Sequence, residues 1–182
     1  MNTLKLSVPT REIVYPALFA AAICMIAPFS FSIGPIPLSF TTFIIYLAAG
    51  SLNLKQGLLS VLLYIALGAI GLPVFSNFEG GFYKIAGPTG GFIIGYMPLA
   101  LLTGLFAEHY NRKRLPLIFG MTIGTILLYT CGMIWLMFQL KIPLAAAVSV
   151  CVTPFIIGDT LKITLASAAI PRLRAALRKS IS

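Results

Sequence analysis

The chain has little charge and few of the groups that carry out enzyme chemistry. Only 9% of its 182 residues are charged, against about 25% in typical soluble domains, so it could not cover an apolar core with polar surface. It has one histidine, and Asp and Glu together number four. No GxxxxGK[ST], HExxH or GxSxG motif and no His/Cys/carboxylate cluster occurs. The sequence therefore predicts neither an enzyme nor a cofactor site.

Cysteines are also scarce, and nothing in their spacing indicates a metal or redox role. Cys24, Cys131 and Cys151 lie in apolar stretches, are odd in number and form no CxxC pair. We expect them to be packing residues.

Apolar residues make up 59% of the chain, and the mean hydropathy is +0.99. These values predict an all-α integral membrane protein, built as one domain over residues 1–182. With about 20 residues per crossing, six transmembrane helices are expected at Ile13–Ser30, Ser39–Leu54, Gln56–Leu72, Gly91–Glu108, Leu115–Phe138 and Pro154–Leu173. A short extra helix is expected over Pro143–Val152, and Thr153 and Pro154 suit the N-cap and first position of the last span.

The basic residues predict which side of the membrane each connection faces. One set of connections carries Lys5, Arg11, Lys55, Arg112, Lys113, Arg114, Arg172, Arg174, Arg178 and Lys179. The alternate set carries only Lys84 and Lys141. Both termini are therefore expected in the cytoplasm of a multi-pass protein of the plasma or inner membrane. The net charge of +9 then reflects topology and anionic lipid rather than nucleic acid, and the first apolar run is expected to be a retained span rather than a signal peptide.

The most unusual feature is a charged pair in the apolar run Pro154–Ile170. Asp159 is the only aspartate of the chain, and Lys162 follows one helical turn later. A charge at mid-bilayer costs about 2.5–3.5 kcal/mol on insertion scales, so such residues are candidates for function. Two interpretations stay open: a structural ion pair, and a polar anchor near the external face for a bound molecule.

A glycine-rich connection, Gly71–Gly91, lies outside by the same topology and is long for a simple turn. It mixes glycines with aromatic residues and hydrogen-bonding groups, which suits a cap over a site. Its hydrogen-bonding groups are Ser76, Asn77 and Thr89, and its candidate site residues are Phe75, Ser76, Asn77, Tyr83 and Gly90. The spacing of Gly87, Gly91 and Gly95 also predicts close packing at the start of the fourth span.

The motifs along the chain resemble those of the BioY family, the biotin-binding S components of energy-coupling-factor (ECF) transporters. They are the segments GxxGLPVF at 68–75, GPTGG at 87–91, YxxGxxWL at 129–136 and PFxxGDxxK at 154–162. The resemblance implies a six-helix fold that captures biotin, the transported ligand, near the external face. It also implies that a membrane coupling subunit and two ATPases drive its release inside.

For this chain the resemblance implies that Asp159 accepts a ureido N–H of biotin and that Asn77 bonds the same ring. Lys162 either neutralises Asp159 or reaches the biotin carboxylate, and both assignments stay open. Candidate walls of the pocket are Phe75, Tyr83, Tyr129 and Trp135. Ala17 and Ala21 offer a small-residue face for the partner module.

One segment departs from the family pattern, which commonly reads PVPxTxQT before the second helix. This chain has PIPLSFTT over 35–42, so Thr41 replaces a glutamine near the expected site. Two alternative functions are a non-transporting structural or assembly protein, in which the charged pair only sets helix register, and a proton-coupled transporter with Asp159 as the proton site.

Overall fold

A computed structural model of the chain describes residues 11–32, 36–111 and 113–179. Its helices are α1 (Arg11–Ile26), α2 (Thr41–Ser51), α3 (Leu54–Ala69), α4 (Phe82–Ala86), α5 (Gly90–His109), α6 (Arg114–Leu140), α7 (Leu144–Cys151) and α8 (Ile156–Lys179). A 3₁₀ turn covers Ser76–Phe78. The described part is almost entirely helical, as the composition predicts. Lys5, Pro35 and Arg112 lie outside the described residues.

Among the described residues, length and composition identify two helices that could cross a membrane, α5 and α6. A third crossing is added if α7 and the part of α8 up to Leu177, which meet at a bend of 46°, form one broken span. Three other apolar helices of the described residues are shorter, at Glu12–Ile26, Thr41–Ser51 and Leu54–Ala69. Helices long and apolar enough to span a membrane are thus present in the described part of the chain, and two or three of the six expected spans meet the length criterion.

The end of the chain differs slightly from expectation. Helix α7 confirms the short helix predicted over Pro143–Val152. The last helix was expected to start at Pro154, but four turn residues precede it and α8 begins at Ile156. The backbone N–H groups of Phe155 and Ile156 both donate to Val152 O. Thr153 and Pro154, the expected N-cap and first residue of the helix, therefore belong to the turn after α7. Asp159 consequently lies in the first turn of α8.

A short β-hairpin follows α1, and it was not predicted from the sequence. Strand β1 (Ser30–Ser32) pairs antiparallel with β2 (Pro37–Ser39), with Ser30 opposite Ser39. It leads directly into α2 and is tied to the glycine-rich connection, because Asn77 N donates to Pro28 O at 3.0 Å and Ser30 Oγ donates to Asn77 Oδ1 at 2.9 Å. The two connections therefore lie together over one end of the helices.

The hydrophobic core draws on every long helix. Its buried members include Ile23 of α1, Tyr46 of α2, Tyr64 of α3, Leu99 of α5, Met121 of α6 and Ile170 of α8. Tyr46 is wholly buried, and its hydroxyl lies 2.6 Å from Thr125 Oγ1, so the polar end of this side chain is satisfied inside the core.

Helices α5 and α6 pack most intimately, at small residues. A methyl group added to Gly91 would lie 2.3 Å from Trp135 Cβ and 2.6 Å from Cys131 O, and one at Gly95 would lie 2.8 Å from Leu128 Cδ1. Only glycine permits this approach, which is the way that helices associate in lipid. The close packing predicted from the glycine spacing is confirmed at Gly91 and Gly95.

Candidate functional site

The buried pair at the start of α8 is the centre of a hydrogen-bond network. Asp159 Oδ1 accepts from Lys162 Nζ at 2.9 Å and from Thr42 Oγ1 at 3.3 Å. Asp159 Oδ2 accepts from the Tyr129 hydroxyl at 2.6 Å. The two charged residues are only 4% and 9% exposed, so the network joins α2, α6 and α8 in a poorly hydrated place. Burial of this kind is tolerable because each charge is paired and hydrogen-bonded.

All three ammonium donors of Lys162 have acceptors within the protein. Besides Asp159, Nζ donates to Ser39 O at 2.7 Å and to Thr42 Oγ1 at 3.3 Å. A lysine ammonium has three N–H donors and no acceptor, so this side chain is saturated. Of the two assignments open to Lys162, the described geometry supports the one in which it serves Asp159.

Asp159 is less completely used. A carboxylate offers about four lone-pair positions. Two donors reach Oδ1 and one reaches Oδ2, which leaves one acceptor position on Oδ2. The carboxylate can therefore receive one further N–H without losing any of its present partners.

Asp159 lines a cavity bounded by α2, α3, α5, α6, α8 and the two connections. The space inside it that could hold the centre of a water molecule is about 50 Å³, and about 590 Å³ lies between its atoms when the part continuous with solvent is included. Its walls are Ile36, Pro37, Ser39, Thr42, Tyr64, Phe75, Ser76, Lys84, Thr89, Phe92, Ile93, Tyr96, Leu128, Tyr129, Phe155, Asp159 and Lys162. Most of the surface is aromatic or aliphatic, with a few polar groups, which is the usual make-up of small-molecule pockets.

The glycine-rich connection supplies one wall of the cavity, through Phe75 and Ser76. Phe75 is 1% exposed and packs edge-on against Tyr64, with ring centroids 5.6 Å apart and planes at 90°. Its ring occupies the space that a side chain at Gly68 would need, because a methyl group there would lie 2.1 Å from Phe75 Cζ. The following residue, Ser76, also lines the cavity.

The structure brings together five of the ten residues that the sequence and the family resemblance indicated. Asp159, Lys162, Tyr129, Phe75 and Ser76 line one cavity. Thr41 is fully buried one position before the lining residue Thr42, and its hydroxyl lies 2.8 Å from Ser39 Oγ.

The other four lie around the cavity rather than in its wall. Trp135 Nε1 donates to Gly87 O at 2.8 Å and so holds the glycine-rich connection against α6. Gly90 is packed so tightly that a methyl group on it would meet Ile85 O. Asn77 bonds the hairpin, and Tyr83 is 63% exposed.

Several lining residues were not among the ten predicted site residues. Thr42 follows the noted Thr41 and Ser39 lies two residues before it, and their contact with the cavity depends on how α2 and the hairpin pack. Tyr96 could not have been predicted to line the cavity, because an aromatic residue in an apolar helix is expected to be an ordinary core residue. Thr89 and Phe155 fall inside the quoted motifs, so motif membership could have found them. Thr89 Oγ1 is buried and has no hydrogen-bond partner among the described residues.

The Tyr129 hydroxyl should contribute measurably to ligand binding through Asp159. In Tyr129→Phe the carboxylate loses its only donor on Oδ2, and the remaining charge is less well held. We expect a loss of about 10- to 100-fold in affinity for a ligand that donates to Asp159, the usual effect of one hydrogen bond to a charged group. Equilibrium binding to the purified variant would measure it. Tyr83→Phe, which changes an exposed tyrosine outside the cavity wall, is the matched control, and equal losses in both variants would contradict the assignment.

Comparison with known proteins gives one consistent family. The model of the BioY family matches residues 1–179. A biotin transporter BioY from Thermotoga maritima is 35% identical over 164 residues, covering 90% of this chain and 96% of that protein. A probable biotin transporter BioY from Pyrococcus horikoshii is 36% identical with the same coverage.

A solved structure agrees with these relatives. It is the crystal structure of the S-component for biotin from an ECF-type ABC transporter, which superposes with a TM-score of 0.86 at 29% identity and covers 95% of both chains. The likeness therefore extends over nearly all of the chain.

Proposed function

The chain belongs to the BioY family, and from that premise we propose that it binds biotin in the cavity beside Asp159 and serves biotin uptake across the membrane. The observation that carries the proposal is the buried carboxylate of Asp159, which lines a largely apolar cavity and has one acceptor position left. A purely structural ion pair would have no need of a cavity beside it.

The chemistry of biotin suits this arrangement. Its ureido ring has two N–H donors and one carbonyl acceptor, and one N–H would donate to Asp159 Oδ2. Its fused rings and aliphatic chain would lie against the aromatic walls, among them Phe75, Tyr129 and Tyr96. A ligand without the N–H would leave a buried charge poorly solvated, and this difference gives strong discrimination.

The residues outside the wall would act on the site indirectly. Trp135 and Gly90 would hold the connection that carries Phe75 and Ser76, and Asn77 would tie it to the hairpin. Thr41 would support Ser39, whose carbonyl receives Lys162. In this proposal the positions are supports, with direct contact limited to the cavity wall.

We also propose a single domain with six membrane crossings, in the plasma or inner membrane, with both termini in the cytoplasm. The support is the distribution of basic residues together with the three shorter apolar helices, α1 to α3, which pack with the long ones in one core. Helices of this length would cross with help from the flanking connections and a locally thinner bilayer.

An ECF coupling subunit and two ATPases are the proposed partners, since the chain has no nucleotide-binding motif of its own. Ala17 and Ala21 are exposed on the outer face of α1, one turn apart, where a partner helix could approach closely. The solved relative described as an S-component of such a transporter supports this division of labour.

Titration of the purified protein with biotin tests the proposal. We expect saturable binding with one site per chain, and no saturable binding of thiamine, a vitamin without a ureido group. Isothermal titration calorimetry in detergent or nanodiscs would measure both. If the protein is folded, as cooperative unfolding would show, but does not bind biotin saturably, the proposed transport function is wrong and a structural role is favoured.

A further inference from the structure

A second cation lines the cavity, at a place remote in sequence from the pair on α8. Lys84 belongs to α4 within the glycine-rich connection, and its side chain is only 16% exposed. Its Nζ lies 2.6 Å from Glu79 Oε2. Glu79 is more than twice as exposed, at 37%, so the lysine points inward and its partner lies toward solvent. Lys84 is thus the end of the pair that a molecule in the cavity would meet.

The other lining cation is not free to take an anion. Lys162 Nζ donates to Asp159 Oδ1, Ser39 O and Thr42 Oγ1, and an anionic ligand could reach it only by displacing one of these. Such an exchange would also place a second negative charge beside Asp159. By contrast, Lys84 holds a carboxylate already, so exchange of one carboxylate for another leaves its charge balance unchanged.

A hydroxyl without a partner lies on the same cavity wall. Thr89 Oγ1 is buried and has no hydrogen bond within the described part of the chain, although a buried hydroxyl without a partner is costly. Ser76 and Lys84 line the cavity with it, and all three come from the glycine-rich connection. This wall therefore offers one cation and hydroxyl donors, the groups that bind a carboxylate.

We propose that Lys84, assisted by the Thr89 hydroxyl, binds the carboxylate of the ligand in place of Glu79. The inference rests on the proposed binding of biotin, whose carboxylate is at the far end of its chain from the ureido ring. Asp159 then selects the ring and Lys84 selects the acid. The Glu79 side chain, being the more exposed partner, moves to solvent when the ligand carboxylate takes its place.

Binding of biotin and of biotinol, its uncharged alcohol analogue, tests this assignment. In Lys84→Gln we expect biotin affinity to fall by about 10- to 100-fold, the usual range for a hydrogen bond to a charged group, while biotinol affinity changes less than about twofold. Lys141→Gln is the matched control. It removes the same charge from an exposed residue after α6, at the end of that helix where Gln139 bonds Ala86 of α4. We expect it to leave both affinities unchanged.

The outcomes separate this inference from the function on which it rests. If the wild-type protein binds neither compound, the proposed function fails. If it binds both and Lys84→Gln weakens both equally, or weakens neither, the carboxylate assignment is overturned while biotin binding stands. Glu79→Gln supplies an independent check, because it removes the competing carboxylate. We expect biotin to bind a few-fold more tightly to it with biotinol unaffected, and weaker biotin binding would contradict the exchange.

Discussion

Replacement of Asp159 by asparagine is expected to weaken biotin binding by at least about 30-fold. The asparagine has nearly the same size, but it removes the only negative charge that lines the cavity and turns one oxygen into an N–H₂ donor. Truncating one partner of a buried charged hydrogen bond typically costs about 2–5 kcal/mol. Calorimetric titration of the purified variant measures the loss.

The same variant must be examined for stability, because it leaves Lys162 without its counter-ion. Removing one member of a buried pair typically destabilises by about 3–5 kcal/mol, whereas removing both is far milder. The double variant Asp159→Asn with Lys162→Met is therefore the matched control. We expect it to recover thermal stability and not to recover biotin binding. If Asp159→Asn binds biotin normally and merely unfolds more easily, the pair is a structural device and the ligand assignment is wrong.

Replacement of Gly91 by alanine should be strongly destabilising, although Gly91 lies outside the cavity wall. The added methyl group would lie 2.3 Å from Trp135 Cβ and 2.6 Å from Cys131 O, and the second contact is with backbone that cannot rotate away. Helices α5 and α6 must then separate. We expect a loss of about 1–3 kcal/mol, the usual effect of overpacking, seen as a lower thermal unfolding midpoint.

Gly158→Ala is the control, since it makes the same substitution in a helix where nothing lies within 4 Å of the new methyl group. Alanine is favoured over glycine inside helices by about 0.5–1 kcal/mol, so this variant should be equally stable or more stable. If the two variants unfold at the same temperature, the close contact of α5 with α6 is not what holds these helices together.

The site shows where reading a sequence succeeds and where it stops. Asp159 and Lys162 stand out by composition alone, because charges in an apolar run are rare and their spacing of three residues brings them onto one helical face. The role of Lys162 did not follow, because two of its three acceptors, Ser39 O and Thr42 Oγ1, are about 120 residues away in sequence. The prediction placed the start of the last helix at Pro154, two residues too early, because Thr153 and Pro154 belong to the turn after α7.

The role of Lys84 also could not be predicted from the sequence. In the sequence it was only a charge that helped to set orientation, in a connection expected to cap a site. Its importance depends on the short helix α4, which turns it into the cavity beside Thr89. No periodicity in a five-residue helix could have predicted that direction.

The sequence by itself determined the class of this protein, a helical membrane protein of the BioY family, and marked Asp159 as the residue around which a ligand site would form. Those conclusions depend on properties that the chain carries locally: hydropathy, charge scarcity and motif spacing. Only the tertiary structure decided that Lys162 is saturated by its own protein and that Lys84 and Thr89 share the cavity with Asp159. Hydrogen-bond capacity is used up by whichever groups the fold brings within about 3 Å, and that proximity is a property of packing rather than of sequence order.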